Sequence, residues 1–281
     1  MGYHVSIWSG YYSELPFEQI LDRFASAGFD HAELCTSCLL KLMEQEGAPE
    51  QIGIRTGNIV KDKGFKIPQG HLSFKKGLVD PTAIDNLQRE LDLFSGMGIT
   101  NAVIHANGGK ELPAEERFEK RVYALSVLAE YLKGTSIKLC LENLGSVPET
   151  HTVERIRKII DAVDSDRLGI CLDTGHLHLV NGRGEATQSQ REFILGAGKD
   201  LCAMHITNNS GMGDDHLMPF SSREGIEWKE VMIALKGIDY QGLFNLEILG
   251  EKNAPLFIRD EKLKYVKTMT DYLISDEFLN T

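Results

Sequence analysis

Short apolar runs rich in β-forming residues alternate with longer stretches of helical period along the chain, and this alternation limits the fold more than any other feature. The predicted strands are His4 to Trp8, His31 to Leu34, Ile67 to Leu72, Ala102 to His105, Lys138 to Glu142, Gly169 to Asp173, Cys202 to Ile206 and Leu243 to Ile248. Helical period is clearest in Phe17 to Ala27, Pro81 to Met97, Glu115 to Leu132, Val153 to Val163, Glu227 to Leu235 and Glu261 to Ile274. Strand and helix repeated eight times predict a (β/α)8 (TIM) barrel of the α/β class, because each right-handed crossover returns the next strand parallel to the last.

The length of the chain agrees with one such barrel. It has 281 residues, and a barrel of this type usually needs about 250. No composition shift or linker divides it, so residues 1–281 are predicted to form a single domain. An open doubly wound sheet is the alternative, but it calls for a glycine-rich phosphate turn after the first strand, and residues 8–12 contain none.

Charge and hydropathy narrow the class of partner. The formal net charge of −11 gives no broad attraction to phosphate backbones, so we expect no nucleic-acid partner. No window approaches the roughly 18 apolar residues of a membrane span, and the first residues do not read as a leader. We therefore expect a cytoplasmic protein that does not contact a membrane.

The cysteines predict reduced thiols. There are five, an odd number in a long chain without a leader. Cys35 and Cys38 form a C-x-x-C, but no second pair follows at zinc-finger spacing. Cys140, Cys171 and Cys202 lie in apolar strand-like runs and are expected to pack as small core residues. The sequence does not assign a role to the Cys35 and Cys38 pair.

Polar side chains capable of binding a metal end six of the eight predicted strands. In a barrel these ends carry the catalytic groups. The residues are His71, His105, Glu142, Asp173 with His176 just beyond it, His205 and Glu247. Because the strand ends converge on one small space and buried carboxylates need a partner, we predict a bound cation there.

Four of these residues form a ligand set for one ion. Glu142, Asp173, His205 and Glu247 offer three carboxylates and one imidazole. This donor set suits one divalent metal, Mn²⁺, Zn²⁺, Co²⁺ or Mg²⁺, with positions left for substrate oxygens. The alternative for any one of them is a polar residue that caps a neighbouring helix, but four in register favour the metal.

The motifs that carry these residues resemble a known superfamily. They are residues 139–143 (LCLEN), 171–176 (CLDTGH), 204–206 (MHI) and 245–247 (NLE), in order and at matching spacing. They are similar to those of the xylose isomerase-like barrel superfamily. That group includes sugar isomerases, ketose 3-epimerases, inosose dehydratases, hydroxypyruvate isomerases and AP endonucleases of the endonuclease IV type.

The isomerase and epimerase branch implies a reaction. There the matching residues Glu142, Asp173, His205 and Glu247 hold one divalent metal, and Glu142 and Glu247 also move protons. A metal chelated by the carbonyl and adjacent hydroxyl of a keto sugar acidifies the neighbouring C–H and stabilises a cis-enediolate. One glutamate removes the proton and the other returns it to the opposite face or to the adjacent carbon.

The resemblance also implies a substrate pocket for a small carbohydrate. We expect six residues to line it: His71, His105, His176, Asp214, His216 and Trp8. The alternative for the three strand-end histidines is to support a carboxylate ligand from behind. Relatives of this type are often dimers or tetramers, so a homo-oligomer agrees with the resemblance, although the sequence does not determine the state.

The endonuclease branch is the main alternative. It uses three zinc ions held by nine ligands, and residues of matching type are His71, His105, Glu142, Asp173, His176, His205, Asp214, His216 and Glu247. Three departures weigh against it. Gly175 stands where that branch usually has Cys, the interval from His205 to Asp214 is short, and no basic DNA-gripping loop is evident. We therefore favour the sugar branch.

Two further readings remain open at this stage. A lyase similar to inosose dehydratases would use the same metal and the same proton abstraction, so the residues do not separate it from an isomerase. A barrel that binds a sugar without converting it would show ligand binding and no proton exchange. The identity of the sugar and its phosphorylation state are not determined by the sequence.

Overall fold

Eight strands form the centre of the molecule. The computed structural model describes residues 3–223 and 225–281. The strands in this range are β1 (His4–Trp8), β2 (His31–Leu34), β3 (Lys66–His71), β4 (Asn101–Ile104), β5 (Lys138–Glu142), β6 (Leu168–Asp173), β7 (Leu201–His205) and β8 (Leu243–Leu246). All are short, and most are largely apolar, as expected for strands covered by helices. Strand β3 is the most polar, with Lys66, Gln69 and His71.

Helices connect consecutive strands. Within the described ranges they are α1 (Phe17–Ser26), α2 (Thr36–Met43), α3 (Pro49–Asp62), α4 (Thr82–Met97), α5 (Ala114–Tyr131), α6 (Val153–Val163), α7 (Thr174–Gly182), α8 (Gln190–Ala197), α9 (Trp228–Gly237), α10 (Leu256–Leu273) and α11 (Asp276–Asn280). The longer helices bury one apolar face against the strands. The apolar residues of that face recur three and four positions apart, as in the helical period of the sequence.

The strands pair in parallel in the order β7-β6-β5-β4-β3-β2-β1-β8. A bridge between Ile206 and Leu246 joins the two ends of this sheet. The Ile206 amide donates to the Asn245 carbonyl at 2.7 Å, and the Glu247 amide donates to the Ile206 carbonyl at 3.1 Å. The sheet is therefore a nearly closed barrel, and the predicted (β/α)8 fold is confirmed.

Element boundaries differ from the prediction mainly where helices are short. The sequence did not predict α2, α3, α7, α8 and α11. Helix α7 starts directly after Asp173, whose carboxylate accepts the His176 amide at 2.7 Å as an N-cap. Helix α10 begins at Leu256 rather than Glu261, since Pro255 has the φ of −56° that suits a helix start.

The cysteines are free thiols with packing roles. Cys140 and Cys171 are buried with Val103 and Ala203 in a small apolar cluster apart from the main core. Cys35 caps α2, where its sulfur accepts the Cys38 amide at 3.4 Å. In this structure the C-x-x-C thus begins a helix of which Thr36, Ser37 and Leu40 line the cavity at the barrel mouth.

Candidate metal centre and active site

Four strand ends bring Glu142, Asp173, His205 and Glu247 together. The first three are the last residues of β5, β6 and β7, and Glu247 directly follows β8. All four side chains are buried, and their ligand atoms lie within 4.8 Å of one another. Parallel strands of one barrel end at the same face, so residues far apart in sequence meet there.

His205 lies at the centre of this group. Its Nδ1 lies 2.8 Å from Glu247 Oε2, 3.1 Å from Glu142 Oε1 and 4.0 Å from Asp173 Oδ2. Asp173 Oδ2 is a buried oxygen with no hydrogen-bond partner in the described part of the chain. An unpartnered carboxylate oxygen beside two further carboxylates and an imidazole fits a divalent cation, because such a group is costly to bury alone.

The pKa values reflect this crowding of charge. Burial raises the pKa of Asp173 to about 6, and the neighbouring Glu142 and Glu247 act in the same direction. Burial also opposes ionisation of Glu142, but the charges of His205 and His105 hold the pKa of that carboxyl well below its usual range. The cluster therefore favours positive charge at its centre.

His71 and His105 form a second group with Glu142. His105 Nε2 lies 2.7 Å from Glu142 Oε2, and His71 Nε2 lies 3.4 Å from the same oxygen. The two imidazole Nε2 atoms are 3.1 Å apart. Ligand atoms of this group also lie within 4.8 Å of one another. Glu142 thus faces two groups of donors.

His176, Asp214 and His216 form a third group at the mouth of the barrel. Asp214 Oδ2 lies 3.3 Å from His176 Nε2, and Asp214 Oδ1 lies 3.5 Å from His216 Nε2. Burial by itself would lower the pKa of His216. The hydrogen bond to Asp214 and the charge of Glu247 outweigh burial and raise the pKa to about 10. These contacts hold the loop after β7 beside the first two groups.

A cavity of about 970 Å³ opens above these groups. Eight of the ten residues predicted for the site line it: Trp8, His71, His105, Glu142, His176, Asp214, His216 and Glu247. The other two, Asp173 and His205, are fully buried beneath it. All ten therefore lie in or directly below one cavity, whose size suits a small molecule.

Two aromatic residues form walls of the cavity. Trp8 stacks on His216 with ring centroids 6.2 Å apart and an interplanar angle of 16°. Phe74 stacks on His105 at 4.6 Å and 24°. Sequence reasoning named Trp8 but missed Phe74, because Phe74 lies in an irregular loop without helix or strand period.

Sequence reasoning placed Glu33 at the end of the second strand but assigned it no role. Its side chain is fully buried near the end of β2. It accepts hydrogen bonds from Gln69 Nε2 at 3.0 Å and from the Asn245 amide, and His205 Nε2 lies 3.1 Å from Glu33 Oε1. Glu33 thus orients the imidazole of His205 from behind. The available signal was an acidic residue inside an otherwise apolar strand.

Comparison with known proteins decides the family. Residues 21–269, which are most of the chain, match the xylose isomerase-like TIM barrel family. The chain belongs to this family. The resemblance found in the sequence motifs is therefore confirmed.

Curated proteins similar to this xylose isomerase-like barrel have low sequence identity to it. Protein y4fM of Sinorhizobium fredii, which has no assigned function, is 24% identical over 171 residues, or 59% of this chain and 52% of y4fM. The chain spans about half of the length of such relatives. A Mycoplasma pneumoniae protein called probable endonuclease 4 is 24% identical over 212 residues, or 62% of this chain and 73% of that protein.

Solved structures of similar fold include D-psicose 3-epimerase with D-tagatose from Clostridium cellulolyticum H10. The TM-score is 0.77, with 16% sequence identity over 97% of this chain and 99% of that one. At this identity the likeness establishes the barrel fold alone. Within the described ranges, no helix of this family member is both long and apolar enough to cross a membrane.

Proposed function

We propose that the protein is a divalent-metal-dependent isomerase or epimerase that acts on a small keto sugar or a related polyol. The observation that carries this proposal is the pair Glu142 and Glu247. Both are buried beside His205 and both line the same cavity. Two carboxylates that face one cavity are the groups that a reaction needs to remove a proton and return it.

Glu142, Asp173, His205 and Glu247 would hold the metal. The unpartnered Asp173 Oδ2 and the crowding of three carboxylates fit this role. When bound, a divalent ion would supply Lewis acidity, which would make the C–H next to a substrate carbonyl more acidic.

The two glutamates would divide the proton transfer. Burial opposes the charged form of Glu247, but His205 holds the pKa of its carboxyl below the usual value, as His205 and His105 do for Glu142. These charges favour the ionised form of both carboxyls, and the ionised form is the one that accepts a proton. One would take the proton and the other would return it to the opposite face, for epimerisation, or to the adjacent carbon, for isomerisation.

The remaining residues of the cavity would hold the polyol. His176, Asp214 and His216 offer hydrogen-bonding groups at the mouth, and the Trp8 ring offers an apolar face. Names of similar solved structures support a carbohydrate substrate: D-psicose 3-epimerase, 3-keto-D-glucoside 4-epimerase and L-ribulose 3-epimerase. A lyase of the inosose dehydratase type would share the first proton abstraction.

The test is proton exchange with solvent. Metal-loaded protein is incubated in D2O with a panel of ketoses, and deuterium at the carbon next to the carbonyl is followed by NMR. We expect exchange with at least one ketose, dependent on added Mn²⁺, Co²⁺, Zn²⁺ or Mg²⁺. Binding of a ketose without exchange would instead assign the protein as a sugar-binding barrel.

A three-zinc endonuclease is the second candidate, because the three groups of donors together contain all nine residues that the endonuclease branch requires. The name of the Mycoplasma pneumoniae relative supports it. Against it, a Cβ added at Gly175 would lie 2.7 Å from Thr207 Cγ2, so the Cys usual in that branch does not fit without movement.

Nearly three zinc ions per chain by elemental analysis, with incision of abasic duplex DNA, would favour this candidate. About one metal ion per chain without incision would favour the isomerase.

A further inference from the structure

The rim of the cavity carries positive charge that the proposed chemistry does not use. Lys75, Lys110 and Arg183 line the cavity, although the chain as a whole has a net charge of −11. Lys75 and Lys110 are exposed, and neither pairs with a carboxylate within residues 3–223 and 225–281. Charged residues of a small-molecule cavity that have no protein partner are candidates for contact with the ligand.

The two lysines lie on loops that are tied to each other. The Asn107 side-chain amide donates to the Phe74 carbonyl at 2.9 Å, and the Leu78 amide donates to the Asn107 carbonyl at 3.0 Å. A Cβ added at Gly77 would lie 2.5 Å from the Gly108 Cα, so the backbones touch. The loops after β3 and β4 therefore present Lys75 and Lys110 as one unit.

The cavity thus has two ends of opposite chemistry. Glu142 and Glu247, the proposed proton-transfer pair, lie at the buried end. Phe74 stacks on His105, which contacts Glu142, and Lys75 follows Phe74 in the chain. The wall therefore changes from carboxylate to imidazole, to aromatic ring and then to cation. A linear polyol that lies along this wall places its far end beside the lysines.

We propose that the substrate carries an anionic group, a phosphate monoester or a carboxylate, at the end far from its keto group, and that Lys75 and Lys110 bind it. This inference rests on the proposed function for the other end of the substrate. Arg183 lines the same cavity, and its guanidinium donates to the Met212 carbonyl at 3.2 Å. A phosphate dianion is the charge that two or three cations at one rim match best.

The test is calorimetry of metal-loaded protein with three probes that share a six-carbon 2-keto chain: fructose, fructose 6-phosphate and fructuronate. The variant is Lys75→Met with Lys110→Met. Lys76→Met is the matched control, because Lys76 lies on the same loop and donates to Thr82 Oγ1 at 3.0 Å. Lys76 borders a neighbouring surface cavity, which Lys75 also borders, but it does not line the cavity of the proposed site. We expect a charged probe to bind about tenfold or more tighter than fructose, a preference that the double variant loses and the control keeps.

The three probes distinguish a phosphate from a carboxylate as the anionic group. A preference for fructose 6-phosphate assigns a phosphate, and a preference for fructuronate assigns a carboxylate. Equal affinity for all three probes, or a preference that survives the double variant, would overturn the inference. So would abasic duplex DNA that binds tighter than any probe and depends on the two lysines.

Failure of the two proposals is distinguishable. Deuterium exchange into fructose, together with equal affinity for the three probes, would remove the anionic subsite and leave the isomerase. Lysine-dependent binding of a charged probe, without deuterium exchange into any ketose, fructose 6-phosphate and fructuronate included, would support the subsite and remove the isomerase.

Discussion

Oε1 of Glu33 lies 3.1 Å from Nε2 of His205, on the side of the imidazole that faces away from the candidate metal ligands. The other ring nitrogen, Nδ1, lies 2.8 Å from Glu247 Oε2. Because a carboxylate behind an imidazole holds the proton on the nitrogen that faces it, Glu33 would keep the proton on Nε2 and leave the lone pair of Nδ1 for a metal ion. Glu33 is therefore a positioning residue for the proposed metal centre.

Replacement of Glu33 should weaken metal binding without unfolding the barrel. In Glu33→Gln the side-chain amide has the shape of the glutamate carboxylate but carries no negative charge beside Nε2 of His205. We expect metal affinity to fall about 10- to 100-fold, measured by titration of metal-free protein. Ser6→Ala is the control, because Ser6 donates to Asn245 Oδ1 at 2.7 Å in the same buried network and does not contact His205. Equal metal affinity of the Glu33 variant and the wild type would remove the positioning role.

Glu142→Gln and Glu247→Gln should each abolish turnover of the ketose. Loss of a proton-transfer group costs about 10²- to 10⁴-fold in rate, so conversion of the ketose to its epimer or isomer should fall by at least a hundredfold even when excess metal restores occupancy. The measurement is kcat for product formation at saturating metal, with metal content verified for each variant. Full activity of either metal-loaded variant would contradict the assignment.

Removal of the metal should lower the melting temperature. Metal at about a hundred times its dissociation constant stabilises the folded state by about 2.7 kcal/mol. For a chain of this size about 1 kcal/mol corresponds to a shift of roughly 2–4 °C, so we expect a chelator to lower Tm by about 5–10 °C.

Asp173→Asn is the companion variant for that experiment. It removes one charge from the crowded carboxylates and weakens the ligand set. Its Tm should respond little to chelator, and without metal it should melt at or above the metal-free wild type. A chelator response equal to that of the wild type would contradict a role for Asp173 as a ligand.

A charged cluster outside the site should give acid-dependent stability. Glu149 accepts from Arg117 Nε at 3.0 Å, and Arg121, buried in α5, lies 3.3 Å from its other oxygen. Burial opposes ionisation, but these two arginines hold the pKa of Glu149 below its usual value. A depressed carboxyl pKa contributes stability above the unfolded pKa of about 4.3, and this stability is lost as pH falls through the folded pKa.

Glu149→Gln should therefore lower the free energy of unfolding at pH 7 by about 1–2 kcal/mol, and the difference from the wild type should shrink below about pH 4. Urea denaturation at several pH values measures it. Glu130→Gln is the control, because Glu130 pairs with Lys133 on an exposed helix surface, where an ion pair contributes little. A pH-independent difference for Glu149→Gln would mean that packing, and not charge, is responsible.

Much of the site was predictable from the chain because barrel geometry converts order along the sequence into position in space. Glu142, Asp173 and His205 each end a recognisable strand, so their meeting follows from the fold class alone. The motifs around them also predicted the family, which the match over residues 21–269 confirms.

Other features depended on contacts that no local pattern records. Glu33 is one acidic residue in a short strand, and only the closed barrel places its carboxylate against His205, 172 positions away in the chain. Phe74 and Lys75 belong to a loop whose course depends on hydrogen bonds to Asn107.

The sequence by itself determined the eight-strand barrel, its family and the donor residues at the strand ends, because periodicity and spacing are local properties of the chain. Only the tertiary structure decided that Asp173 and His205 lie beneath the cavity while Lys75 and Lys110 stand at its rim. The burial of a side chain and the direction in which it points result from packing between segments far apart in sequence. The residues of one segment alone do not determine them.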